Sequence, residues 1–132
     1  MDQRMSKDKY YLNIADAVLD RSTCLRRKYG AIIVKNDEIL STGYNGAPRG
    51  RVNCSELGNC NREQLNIPSG QRYELCRSVH AEANAITKVA KSANNCDGST
   101  LYITAAPCIE CSKLIIQAGI RRVVYSEDYR SE

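Results

Sequence analysis

Apolar side chains near the start of the chain recur at helical spacing, and further along they form short runs that are typical of strands. The spacing between Lys9 and Leu19 predicts an amphipathic helix that ends near Arg21. Two apolar runs in GAIIVKNDEILSTGYNG then flank Asn36 and Asp37, which tolerate the positive φ angles of a tight turn. This pattern predicts a helix followed by a β-hairpin.

The later part of the chain alternates helical and strand-like segments. The alanine-rich run from His80 to Val89 predicts a helix that closes near Asn94 and Asn95, and STLYITAAP predicts a strand that Pro107 stops. CIECSKLIIQAG predicts a helix ended by its glycine, and IRRVVYS predicts a last strand. The order α-β-β-α-β-α-β indicates an α/β fold in which helices cover the faces of a mixed sheet.

The composition indicates one domain spanning residues 1–132, because a chain of 14.7 kDa builds a single hydrophobic core. The polar start and the lack of a long apolar run predict a protein without a membrane span or secretory signal, located in the cytoplasm, or in the host cytoplasm if the chain is viral. The net charge of +4 suits a small anionic ligand and lacks the dense basic stripe of an obligate nucleic-acid binder.

A single histidine and seven cysteines make metal binding the main chemical prediction. An odd cysteine count without an export signal favours metal ligation over disulfides. Cys108 and Cys111 in PCIEC stand at a predicted helix start and His80 opens another helix, so two helix N-termini could deliver one nitrogen and two sulfurs to Zn²⁺. Three protein ligands leave one position open, which is typical of a catalytic zinc rather than a structural one.

Glu82 adds a carboxylate two residues after the histidine. At the first turn of a helix both side chains can lean over the N-terminal rim, so Glu82 is the candidate proton shuttle. H-x-E followed by P-C-x-x-C is the signature of zinc-dependent nucleobase deaminases. Each element alone has a plainer explanation, since a lone Cys-x-x-Cys can be redox-active or half of a structural site. The combination favours the deaminase interpretation.

Five stretches, RSTCLRRKYGAIIV, GYNGAPRG, CRSVHAEANAI, LYITAAPCIEC and LIIQAGIRRVVY, resemble the deoxycytidylate (dCMP) deaminase family of the cytidine deaminase superfamily. The resemblance runs from about Leu12 to Tyr129 and implies a three-layer α/β/α sandwich around a mixed five-stranded sheet. It implies deamination of dCMP to dUMP with release of ammonia, a step that feeds thymidylate synthesis. It also implies a homo-oligomer, commonly a hexamer, activated by dCTP with Mg²⁺ and inhibited by dTTP.

The same resemblance implies roles for residues around the base and sugar. Backbone groups of Ala81, Thr104 and Pro107 are expected to contact the base edge. The side chain of Asn45 is expected to bind the sugar hydroxyl, and Tyr125 to lie against the base.

Arg26, Arg27 and Lys28 form the basic run available for the substrate phosphate, although such runs are more often merely solvated. Ala105 and Ala106 stand where many relatives carry a bulkier residue between the threonine and the proline of the metal motif. The smaller side chains predict a roomier pocket mouth, and activity on dCTP becomes a hypothesis worth testing.

A second, structural zinc is predicted from four further cysteines, Cys24, Cys54, Cys60 and Cys76. Most of them fall in or beside the stretch 47–77, which has little periodicity and is long for a loop in a compact domain. Four thiolates around zinc would hold that stretch in place and release folding free energy. The alternative is four independent buried or surface thiols, and Cys96 is left over in either case.

Two other functions share parts of this pattern. A polynucleotide deaminase acting on tRNA or single-stranded DNA uses the same metal motif, but it needs a basic and aromatic track that the modest charge does not favour. A catalytically silent zinc-binding or nucleotide-sensing module has no use for Glu82. Ammonia release from dCMP, dCTP, cytidine and a cytosine-bearing oligonucleotide separates the three.

Overall fold

The computed structural model describes residues 4–22, 27–46 and 80–126. These residues form three helices and four strands in the predicted order. The elements are α1 (Lys7–Leu19), β1 (Gly30–Lys35), β2 (Glu38–Tyr44), α2 (Ala81–Ala90), β3 (Thr100–Ile103), α3 (Ile109–Gln117) and β4 (Arg122–Tyr125).

The described strands make one mixed sheet in the order β2-β1-β3-β4. β1 pairs antiparallel with both β2 and β3. β3 pairs parallel with β4, and helix α3 connects these two strands along the chain. The hairpin turn between β1 and β2 lies at Asn36 and Asp37, with φ angles of 52° and 61°, so the predicted turn is confirmed. The parallel pair places the segments that follow β3 and β4 at the same edge of the sheet.

Alternate residues of the central strands contact helices on opposite faces of the sheet. Ile33, Leu101 and Ile103 pack in one buried cluster with residues of α2 and α3. Ile32 and Tyr102 pack in another cluster with α1. Every residue of β1 before Lys35 is buried, because both faces of this strand are covered.

Two of the three described helices, α1 and α2, approach the sheet at a glycine. A Cβ on Gly30 would lie 2.1 Å from the carbonyl oxygen of Ala15 in α1, and a Cβ on Gly43 would lie 2.3 Å from that of Ala81 in α2. Both distances are too short for any real side chain, so glycine at these two positions lets the helix backbones lie against the strands.

The boundaries differ from the sequence prediction in three main places. Helix α2 ends at Ala90, before the predicted close near Asn94 and Asn95. Helix α1 begins at Lys7 because the Ser6 side chain accepts a hydrogen bond from the backbone N–H of Lys9 and caps it. Strand β3 ends at Ile103, short of Pro107, because its partner β1 begins at Gly30 and offers little further backbone to pair. Among the three helices described, none is long and apolar enough for a membrane crossing.

Candidate metal centre

The three predicted metal ligands lie at the starts of two helices. His80 is the N-cap of α2 and Cys108 is the N-cap of α3, each with extended backbone angles, and the buried Cys111 follows in the first turn of α3. An N-cap side chain projects beyond the helix end instead of along its flank. The two helix starts therefore bring one imidazole and two thiols to one place.

The distances within this group suit a tetrahedral metal ion. His80 Nδ1 lies 3.3 Å from Cys111 Sγ and 3.5 Å from Cys108 Sγ, and all three ligand atoms lie within 4.8 Å of one another. Zinc bonds of about 2.3 Å to sulfur and about 2.0 Å to nitrogen at tetrahedral angles separate N and S by about 3.5 Å. The residues fit zinc in donor type and in spacing, and Nδ1 is the ring atom that faces both sulfurs.

The Cys108 sulfur is prepared for metal binding. A hydrogen bond with the Cys111 side chain is the largest cause that lowers the pKa of the Cys108 thiol from 9.0 to about 3, and the His80 ring adds to the effect while burial opposes it. A thiolate at neutral pH is the form that binds metals. The lowered pKa of Cys108 therefore favours metal binding at physiological pH.

Glu82 is a fully buried carboxylate, with none of its surface exposed. It lies in the first turn of α2, two residues after His80. The first turn of a helix favours an acidic side chain, because the helix dipole is positive at this end. A buried carboxylate beside a metal-binding group is a strong sign of a functional site.

Asn45 follows strand β2 and is buried in a network with the segment before β1. Its Oδ1 accepts hydrogen bonds from the Ser22 hydroxyl at 2.5 Å and from the Tyr29 backbone N–H at 2.8 Å, while its Nδ2 donates to the Arg27 carbonyl at 2.8 Å. The predicted sugar-binding residue thus also holds the end of β2 against the entry to β1.

The predicted base-contacting residues lie around the ends of β3 and β4 and the start of α2. Ala81 and Thr104 are buried, Pro107 is half-buried, and Tyr125 is exposed at the end of β4. Ser126, which the sequence analysis did not single out, donates a 2.8 Å hydrogen bond to the Thr104 carbonyl. A polar residue just after a strand of a parallel pair is the signal that could have found it.

The predicted phosphate and structural-metal residues are less completely described. Arg27 is half-buried with its guanidinium carbon 5.5 Å from the centre of the Tyr29 ring, and Lys28 is exposed. Arg26 and the second cysteine group lie outside the described residues. That group is Cys24, Cys54, Cys60 and Cys76.

Zinc-dependent nucleobase deaminases carry one histidine and two cysteines on two helix starts, with a glutamate that is not a ligand. The mixed sheet with helices on its faces, and the set of one histidine and two cysteines, together assign the chain to the zinc-dependent nucleobase deaminases. The chain belongs to the cytidine and deoxycytidylate deaminase family, since the family described as "Cytidine and deoxycytidylate deaminase zinc-binding region" matches residues 5–127.

Relatives from phages and yeast agree with this assignment. A deoxycytidylate deaminase of Mycobacterium phage D29 is 43% identical, with 92% of this chain and 94% of that protein covered. The crystal structure of dCMP deaminase from cyanophage S-TIM5, in complex with dCMP and dUMP, superposes with a TM-score of 0.78 at 38% identity, over 96% of this chain and 87% of that one. The deoxycytidylate deaminase of Schizosaccharomyces pombe is 37% identical over 98% of this chain, but the chain spans only 39% of that protein's length.

Proposed function

We propose that the chain is a zinc-dependent hydrolase that converts dCMP and water to dUMP and ammonia. The convergence of His80, Cys108 and Cys111 next to the buried Glu82 is the observation that carries the proposal. The choice of dCMP is supported by the cyanophage relative solved with dCMP and dUMP and by the phage relative of nearly the same length.

We assign zinc to His80 Nδ1, Cys108 Sγ and Cys111 Sγ. A zinc ion held by three protein ligands supplies a Lewis acid that makes a water molecule nucleophilic near neutral pH. The thiolate form of Cys108 and the inward-facing Nδ1 of His80 support this assignment.

Glu82 is the proposed general base and general acid. Its carboxylate takes a proton from the attacking water and delivers it to N3 of the cytosine, and it then delivers the second proton to the amine at C4. The C4–N bond breaks, ammonia leaves and the carbonyl of uracil forms. Complete burial of Glu82 supports this role, because a water-poor surrounding strengthens its hydrogen bonds to the reacting atoms.

The remaining substrate contacts follow from the family resemblance. Backbone groups of Ala81, Thr104 and Pro107 are proposed to bind the base edge, and Tyr125 to pack on the base. Asn45 is proposed to bind the sugar hydroxyl from a side chain that its bonds to the segment before β1 already hold rigidly. Arg26, Arg27 and Lys28 are proposed for the phosphate.

Several finer features belong to the same proposal. The fold is a three-layer α/β/α sandwich, which is supported by the two apolar clusters on opposite faces of the sheet, and the family resemblance adds a fifth strand. The chain is a single domain that assembles into a homo-oligomer. A structural zinc on Cys24, Cys54, Cys60 and Cys76 and regulation by dCTP with Mg²⁺ complete the proposal.

Ammonia release from purified protein tests the activity. We expect turnover of dCMP, with dCTP as the second substrate to compare because of Ala105 and Ala106. Ammonia from a cytosine-bearing oligonucleotide alone would replace this function by polynucleotide deamination, and ammonia from no substrate would favour a silent module. Metal analysis tests the cofactors in the same sample, since two sites predict about two zinc ions per chain and one site predicts about one.

A further inference from the structure

The contact between β2 and α2 is unusually close. Gly43 brings the strand within touching distance of the Ala81 carbonyl, and the Ser41 hydroxyl donates a 2.7 Å hydrogen bond to the Ala85 carbonyl. The helix in this contact, α2, follows His80 and carries Glu82 in its first turn.

Asn84 makes a second polar contact across this interface, at the end nearer to the metal centre. Its Nδ2 donates a 2.6 Å hydrogen bond to the carbonyl of Tyr44, the last residue of β2. The Tyr44 carbonyl belongs to the peptide group that leads into Asn45. One amide side chain therefore joins the helical turn of Glu82 to the strand end that carries the proposed sugar contact.

The choice of asparagine here does not serve the helix. Asparagine is a poorer helix former than the alanines at residues 81, 83 and 85 that surround it, by roughly 0.5 kcal/mol or more. Its short amide can donate to a carbonyl, which neither alanine nor a carboxylate can do. Both facts indicate that the hydrogen-bond donor is the property this position requires.

We propose that Asn84 is a positioning residue that holds the first turn of α2, and with it the Glu82 carboxylate, at a set distance from the end of β2. The expected effect on kcat rests on the proposed function, whereas the hydrogen bond that holds α2 against β2 does not. Proton transfer depends steeply on distance, and a displacement of about 1 Å can cost on the order of 10²-fold in rate.

Two substitutions test the role. Asn84→Ala removes the donor and improves helix propensity, and Asn84→Asp keeps the size and is favourable in a first helical turn, so both variants are expected to fold. We expect kcat on dCMP to fall on the order of 10²-fold in each variant, with zinc content unchanged.

Ser41→Ala is the matched control, because it deletes a second hydrogen bond of the same interface, made to the Ala85 carbonyl from a strand residue three positions before Tyr44. We expect a similar loss of thermal stability but a kcat close to that of the wild type. Equal losses of kcat in Ser41→Ala and Asn84→Ala would show a merely structural role and overturn the proposal. Wild-type kcat in the Asn84 variants, or loss of zinc from them, would overturn it as well.

Hydrogen exchange provides a readout that needs no activity. In the zinc-loaded protein we expect the amides of residues 81–86 to exchange faster in Asn84→Ala than in Ser41→Ala. Equal exchange in the two variants would show that Asn84 does not hold the first turn of α2, and would overturn the proposal. If the wild type does not turn over dCMP, the proposed function fails while this measurement still decides the role of Asn84.

Discussion

The two faces of the sheet use ionisable side chains in different ways. On the α1 face, Asp8 accepts hydrogen bonds from both Arg122 guanidinium nitrogens and from the Tyr102 hydroxyl, near the rim where water has access. On the α2 and α3 face, His80, Cys108 and Cys111 converge on one point instead, and a carboxylate two residues along is completely buried.

This difference separates structural charges from functional ones. The α1 face pairs opposite charges with one another, and such pairs need no ligand to explain them. On the other face three metal-binding atoms lie within 4.8 Å of one another, and the polar side chain of Glu82 is completely buried, which costs free energy. Arrangements that cost stability in this way are expected where function requires them.

The strongest test of this difference between the two faces removes one sulfur from the group of His80, Cys108 and Cys111. Cys108→Ser should lower the zinc content by about one ion per chain and abolish dCMP turnover, because a hydroxyl is a poor zinc ligand compared with a thiolate. Metal analysis after gel filtration measures the first effect. Cys96→Ser is the control, since this buried thiol lies outside the group and zinc should be retained. Equal zinc loss in both variants would contradict the assignment.

The next largest effect is expected from Glu82→Gln. Removing the group that moves protons should lower kcat by about 10² to 10⁴-fold while zinc stays bound. Glu110→Gln changes an exposed glutamate in the first turn of α3, which is the matching helix position, and should leave kcat near the wild-type value. Zinc loss from Glu82→Gln would mean that the carboxylate is a ligand and not a proton carrier.

A pair of glycine substitutions compares the two faces directly. Gly43→Ala forces a Cβ against the Ala81 carbonyl of α2, and Gly30→Ala forces one against the Ala15 carbonyl of α1. Each should lower the free energy of unfolding by about 1–3 kcal/mol in a denaturant titration. Only Gly43→Ala displaces the helix of Glu82, so its kcat should fall further. A larger kcat loss in Gly30→Ala would contradict the division between the faces.

The smallest effect concerns the acid stability of the α1 face. Hydrogen bonds from Arg122 and then from Tyr102 lower the pKa of Asp8, so this carboxylate stabilises the fold above its unfolded pKa of about 4 and stops doing so as the pH falls through its lower folded value. Because the pair is well exposed, Asp8→Asn should cost less than about 1 kcal/mol at pH 7. Urea titrations at pH 7 and pH 2 should show a smaller difference at pH 2, and kcat should be unchanged.

Sequence patterns predicted the parts of the molecule that depend on neighbouring residues. The helices and the Asn36–Asp37 turn follow from local spacing and are found in the structure. Local spacing also placed the three predicted metal ligands at two helix starts, and the structure brings their donor atoms together. The ends of the strands did not follow as well, because the extent of β3 depends on where its partner begins.

The supporting contacts of the site could not be predicted in the same way. Asn84 reaches a carbonyl 40 residues away and Ser126 one that is 22 residues away, and both contacts depend on the strand order of the sheet. Local patterns carry no information on such partners. Asparagine within an alanine-rich helix start was the one visible sign that a contact was needed there.

The position of His80 and Cys108 at helix caps has a practical consequence for anyone who modifies this protein. Exposed side chains of the α3 body, such as Lys113 and Ile116, lie beyond the Cys108 cap and the first-turn Cys111 that carry the donor atoms. Fluorophores, affinity handles or solubilising charges can therefore be attached to the α3 surface while the metal-binding geometry stays intact.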